Sequence, residues 1–177
     1  MKTVIAEISS GKIRGVRIDG IDVFKGIPYG GPVDGARRFL APRKPKPWAG
    51  IRDAVEFGPR AVQNDNAFAM PSELLKVFTV PEPLLMGENC LVLNVWTPGT
   101  DDGRKRPVMF WCHGGAFIAG SGSSPRFDGA NLARNGDVVV VTINHRLNVF
   151  GFLHLDELGG GEEFASSGCR YRKPNPG

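Results

Sequence analysis

Residues 107–117 read Pro107-Val108-Met109-Phe110-Trp111-Cys112-His113-Gly114-Gly115-Ala116-Phe117. An unbroken apolar run passes straight into His-Gly-Gly. Such a run, bounded by a turn signal, reads as a strand covered on both faces, as in a parallel sheet. The paired glycines let the backbone turn sharply at its end. Their N–H groups are then free to point into a cleft, with the small Ala116 carrying the only nearby Cβ. Donors of this kind can hold a developing oxyanion, often worth ~3–4 kcal/mol each in a transition state. On these residues alone, a plain tight turn after a strand is an equal reading.

Downstream, Ala130–Asn135 reads as a short helix ended by Gly136, and Val138–Ile143 as a second strand apolar on both faces. Strand, loop, helix and parallel strand is the α/β pattern. Upstream the pattern changes to period two. Val4, Ala6 and Ile8 alternate, Ile13–Ile18 alternates again, and Asp19-Gly20 is a hairpin signal before a third strand over Ile21–Gly26. The opening is therefore a small antiparallel meander. Residues 28–50 are Pro/Gly-rich loop. Pro71–Phe78 reads as a short helix with proline in its first turn. Leu91–Thr97 reads as a strand with Leu91, Leu93 and Val95 inward and Val92, Asn94 and Trp96 outward.

Several segments together resemble the type-B carboxylesterases of the α/β-hydrolase fold. They are, in order, Phe24-Lys25-Gly26-Ile27-Pro28-Tyr29; Arg38-Phe39 with Pro42 and Trp48; Glu88-Asn89-Cys90-Leu91-Val92-Leu93-Asn94-Val95-Trp96-Thr97-Pro98; and Val108 to Phe117. Phe127-Asp128-Gly129, Val138–Val141 with Asn144 and Arg146, and Gly151-Phe152-Leu153 continue the pattern. The resemblance covers roughly residues 1–168 and implies the N-terminal part of that fold, a meander followed by the first strands of a central mixed sheet. It implies a serine ester hydrolase working through an acyl-enzyme, with a small-molecule ester as substrate and no cofactor. In this likeness Gly115 and Ala116 supply oxyanion N–H groups and Gly114 sets the turn. Phe117 walls the cleft or is an ordinary core aromatic. His113 is a structural member of the loop, and Arg38 and Glu88 form a salt bridge. His145 stands where the family usually has tyrosine.

The resemblance also exposes what the 177 residues lack. None of the eight serines has glycine at both −2 and +2, the nucleophile elbow of this fold. Ser121-Gly122-Ser123-Ser124 reads as a flexible loop over the cleft. The acid and base follow the serine in this fold, so His145 and His154 are poor candidates. Arg146 resembles an arginine whose carboxylate partner lies beyond residue 168. The expectation is a partial domain over 1–168, inactive alone, or a piece that docks with a separately encoded remainder. Residues 169–177 form an off-pattern basic tail, read as a frameshift or gene remnant, or as a genuine short tail. With few of the strands' neighbours present, exposed apolar faces and open edges are expected.

Charge and cysteine content bound the other function classes. The chain carries 22 Lys+Arg against 18 Asp+Glu, and three of the basic residues (Arg170, Arg172 and Lys173) sit in the last nine. The net charge of +4 is thus largely a tail effect and argues against a nucleic-acid partner. Cys90, Cys112 and Cys169 are an odd, widely spaced set with no ligand spacing to the three histidines. Neither a disulfide framework nor a metal site is expected, and a reduced, cytoplasmic setting is. No apolar run approaches the length of a membrane span.

Overall fold

The computed structural model describes residues 2–64 and 85–153. The expected helix over Pro71–Phe78, His154 and the tail at 169–177 lie outside the described residues.

The meander forms as the alternation dictates. Strands β1 (Lys2–Ile8), β2 (Gly11–Ile18) and β3 (Ile21–Pro28) pair antiparallel in sequence. Asp19 and Gly20 take φ of 48° and 82°, a turn whose twist matches the flanking strands. The short β4 (Ile51–Asp53) adds parallel to the first half of β2. The other face of the meander is built by period two: Val4, Ala6 and Ile8 pack against Ile13, Phe24, Ile27 and Ala54.

Three further strands extend the sheet: β5 (Val92–Thr97), β6 (Val108–Cys112) and β7 (Val139–Ile143). The order is β1-β2-β3-β5-β7-β6, with β4 off this path on β2. β5 is antiparallel to both neighbours, and β6 runs parallel to β7. The crossover between β6 and β7 carries α1 (Ala130–Gly136), whose first N–H groups include Ala130 N, donating to Asp128 Oδ1 at 2.8 Å. Gly136 is the last helical residue, and Asp137 rather than glycine takes the left-handed position after it, at φ 48°. A short α2 (Asn148–Phe152) follows β7.

Two strands differ from their sequence reading. On β5 the face expected outward is the better buried: Val92, Asn94 and Trp96 are 7%, 0% and 1% exposed. Leu93 and Val95 are only half-buried, against the meander cluster. The reason is α1, which lays Ala133 on Trp96, Ile21, Val23 and Val140. An indole buried so fully is worth ~3–5 kcal/mol against alanine. The second strand is β6, whose apolar residues are exposed, Val108 at 63% and Phe110 at 59%. Among the described residues β6 is an edge strand, so its sequence is apolar on both faces while its surroundings are not. β7, placed between β5 and β6, is covered better, with Val140 and Thr142 buried.

Candidate functional site

The loop leaving β6 is held in a conformation that most side chains avoid. Gly115 lies at φ 128°, Ala116 at 51°, Phe117 at 64° and Gly120 at 118°. A non-glycine residue in that region carries ~1–3 kcal/mol of strain, sustained only where the surroundings enforce it. Those surroundings are visible. Gly115 O accepts from Ile118 N at 3.0 Å and Ala119 N at 3.1 Å, closing the turn. Phe117 O accepts from Asn148 N at 2.7 Å, tying the loop to the start of α2. Gln63 grips Gly120 at both ends, with Oε1 accepting its N–H at 2.7 Å and Nε2 donating to its carbonyl at 2.9 Å.

The Gly114, Gly115 and Ala116 N–H groups take no hydrogen bond among the described residues. Space beside Gly114 is open, with no atom within 4 Å of where a Cβ would sit. Adjacent N–H groups left without a backbone partner at a turn are a geometry that can receive an anionic oxygen. Phe117 is 66% exposed and packs its ring on Phe152 at 4.7 Å, so it is no core aromatic among these residues.

Behind the loop sits a polar lattice that sequence reasoning did not find. Asn144 Oδ1 accepts from Gly122 N at 2.7 Å and Ser121 Oγ at 3.2 Å. Thr142 Oγ1 donates to Gly122 O at 2.6 Å, and Asn94 Nδ2 donates to Thr142 Oγ1 at 3.0 Å. Asn94 Oδ1 also accepts from Gly26 N at 3.0 Å, which links the lattice to β3. Ser121, Ser123 and Ser124 are buried in this lattice. They do not form the flexible cover expected from a Gly/Ser run. The one signal available was the presence of polar residues, Asn94 and Thr142, within otherwise apolar strand sequences; they need partners wherever they are buried.

Arg38 and Glu88 form a two-point ion pair, Nε to Oε2 at 2.6 Å and Nη2 to Oε1 at 2.5 Å. Arg146 is 2% exposed and donates from Nη1 to Leu40 O at 3.0 Å, so it does not turn to solvent. Cys90 is a buried thiol, its pKa pushed up to about 11 by burial, and Cys112 is an exposed one. Burial pulls the His113 imidazole below the usual histidine value, and His145 adds to this, against the raising effect of a hydrogen bond to Gly114 O. Among the described residues no group of three His, Cys, Asp or Glu side chains could hold a metal ion, and no helix is long and apolar enough to cross a membrane. A concavity of about 750 Å³, lined by residues such as Arg17 and Asp102, lies at the Val108 end of the sheet, away from the loop.

A mixed sheet whose parallel β6–β7 pair feeds a glycine turn matches the N-terminal part of an α/β-hydrolase of the carboxylesterase kind. The family model described as the carboxylesterase family matches residues 2–161, and the chain belongs to that family. It is 44% identical over 145 residues to the para-nitrobenzyl esterase of Bacillus subtilis, covering 82% of this chain and 28% of that protein. It is 41% identical to the phenmedipham hydrolase of Pseudarthrobacter oxydans, over 84% of this chain and 29% of that one. Among solved structures, a Geobacillus stearothermophilus carboxylesterase superposes with a TM-score of 0.77 at 47% identity, over 93% of this chain and 30% of that chain. The chain thus spans less than a third of the length of these relatives.

Proposed function

We propose that these residues supply the oxyanion loop of a carboxylic-ester hydrolase, with the Gly115 and Ala116 N–H groups as donors, Gly114 as the turn and Phe117 as a wall of the cleft. The observation that carries the reading is the adjacent Gly115 and Ala116 N–H groups, without an acceptor among the described residues, in a loop held by Gln63 and Asn148 on a scaffold of carboxylesterase type. In the reaction a serine attacks the ester carbonyl. Charge collects on the carbonyl oxygen as the tetrahedral species forms, and the two N–H groups stabilise it more than they stabilise the ester itself. The alcohol leaves, and water then releases the acid from the acyl-enzyme by the same route.

The 177 residues contain no Gly-x-Ser-x-Gly, so we infer that they do not turn over esters by themselves. The serine, acid and base come from outside them. A second reading, that the chain docks with a separately encoded remainder, is favoured by β6, whose apolar side chains are open at the sheet edge among the described residues.

A chimaera tests the first reading. Residues 2–161 replace the equivalent part of the Geobacillus stearothermophilus carboxylesterase. A folded chimaera hydrolyses p-nitrophenyl acetate with an acyl-enzyme burst, and misplacing one loop donor lowers kcat by ~10²–10³-fold. A chimaera that melts cooperatively yet shows neither burst nor turnover contradicts it. Mixing this chain with the separately made remainder tests docking in the same assay.

A further inference from the structure

The rings of His113 and His145 lie stacked, 4.6 Å between centroids and 8° from parallel. His113 opens the oxyanion loop, and His145 follows β7. His113 Nδ1 is 2.8 Å from Gly114 O, and His145 Nδ1 is 3.0 Å from Arg146 O. A carbonyl oxygen only accepts, so in each neutral ring Nδ1 carries the proton and Nε2 is left with its lone pair. The return arm of the loop presses on the same ring: a Cβ on Gly120 would lie 2.4 Å from His113 Nδ1. On the other side, His145 meets Phe152 edge-on at 6.2 Å, and Phe152 packs on Phe117 of the loop.

We propose that His145 is a positioning residue for the oxyanion loop, stacked on His113 so that the loop holds its shape while the pair carries at most one proton and loosens when the second arrives. The inference rests on the reading of residues 114–116 as the oxyanion loop. A first proton, taken at one Nε2, sits over the neighbouring ring's π face and is accommodated. A second places two like charges face to face in a part-buried site, which drives the rings apart. His113 cannot then keep its contacts with Gly114 and Gly120, and the donors between them lose their aim.

The charges around the pair are few. His145 is the group whose charge acts on His113. Cys90, Cys112 and Arg146 act on Tyr29; Cys90, Tyr29 and Arg37 act on Arg146; and Glu88 acts on Cys90. Gln63, across Gly120, is neutral, and α2 offers the stack only Phe152. No carboxylate interacts with His113 among the described residues to hold a second proton on the pair.

The test is an imidazole and amide ¹⁵N NMR titration of the full chain, which needs no turnover and so stands or falls separately from the esterase reading. The proposal expects both rings as Nδ1–H tautomers at pH 8. On acidification the pair takes up its protons in two separate steps, and the Gly114–Gly120 amides move with the second. In His145→Tyr, which keeps a flat ring but does not titrate in this range, His113 titrates in one step and the loop amides keep their pH 8 positions through it. His145→Leu removes the stack as well and gives the same single step with loop amides already shifted at pH 8. Independent one-step titration of both rings in the parent chain overturns the proposal. So does loop-amide titration that persists unchanged in His145→Tyr.

Discussion

Gly120 and Gly20 both hold positive φ, at 118° and 82°, yet substitution at the two should differ sharply. An alanine Cβ at Gly120 meets Gly114 O and His113 Nδ1 at 2.4 Å, whereas at Gly20 it meets nothing within 4 Å. Gly120→Ala should lose ~2–4 kcal/mol and Gly20→Ala ~1 kcal/mol, read from urea denaturation midpoints at constant m-value. The cysteines give a second residue-scale prediction. In a Cys169→Ser background, Cys112 should react with a thiol reagent at once at pH 8, and Cys90 only on unfolding, because its thiol is buried and its pKa stands at about 11. His113 gives a third. Its folded pKa lies below the usual 6.5, so the unfolded chain binds more protons there and stability falls as pH drops through 6.5 toward the folded value. Urea midpoints should be lower at pH 5 than at pH 7.5, and His113→Asn should flatten that dependence. At this scale the sequence offered His113-Gly114-Gly115 as a tight turn or an oxyanion loop, and the family likeness offered Arg38 with Glu88. It gave no bracing role to Gln63, Asn94 or Asn144, because each acquires that role from a partner at least 20 residues away.

Among the elements, alternation and turn chemistry made the meander and the β6–α1–β7 crossover legible. They could not tell which face of β5 lies deeper. Both faces of β5 carry apolar residues, and α1 decides between them by covering Trp96. Asn94, on that deeper face, is fully buried and hydrogen-bonded to Gly26 and Thr142. Asn94→Leu keeps the volume but strands those partners, and should lose ~1–3 kcal/mol in thermal or urea melts. β6 shows the reverse limit. Its composition is that of a covered strand, but coverage is a property of neighbours. An open apolar edge pairs with other chains, so the 177-residue protein should self-associate at micromolar concentration. Phe110→Lys, at a residue 59% exposed, should reduce that association in light scattering while leaving the far-ultraviolet circular dichroism unchanged.

For the molecule as a whole, two features belong together. The chain shares 47% identity with a carboxylesterase while spanning 30% of its length, and none of its serines stands in a nucleophile elbow. What it carries is a sheet and a loop with Ala116 and Phe117 at positive φ, which the proposed function reads as the oxyanion-donor part of an esterase centre. The fold class was readable because several motifs fall in one order. The reach of the site was not, since Gln63, Asn144 and Asn148 brace the loop from positions remote in sequence. The most direct test is to treat the folded chimaera with a fluorophosphonate and locate the modified serine by mass spectrometry. The account predicts a single labelled serine in the Geobacillus-derived part, with labelling suppressed when the loop at 114–116 is disrupted. A labelled serine within residues 2–161, or no labelling of a folded chimaera, would contradict it.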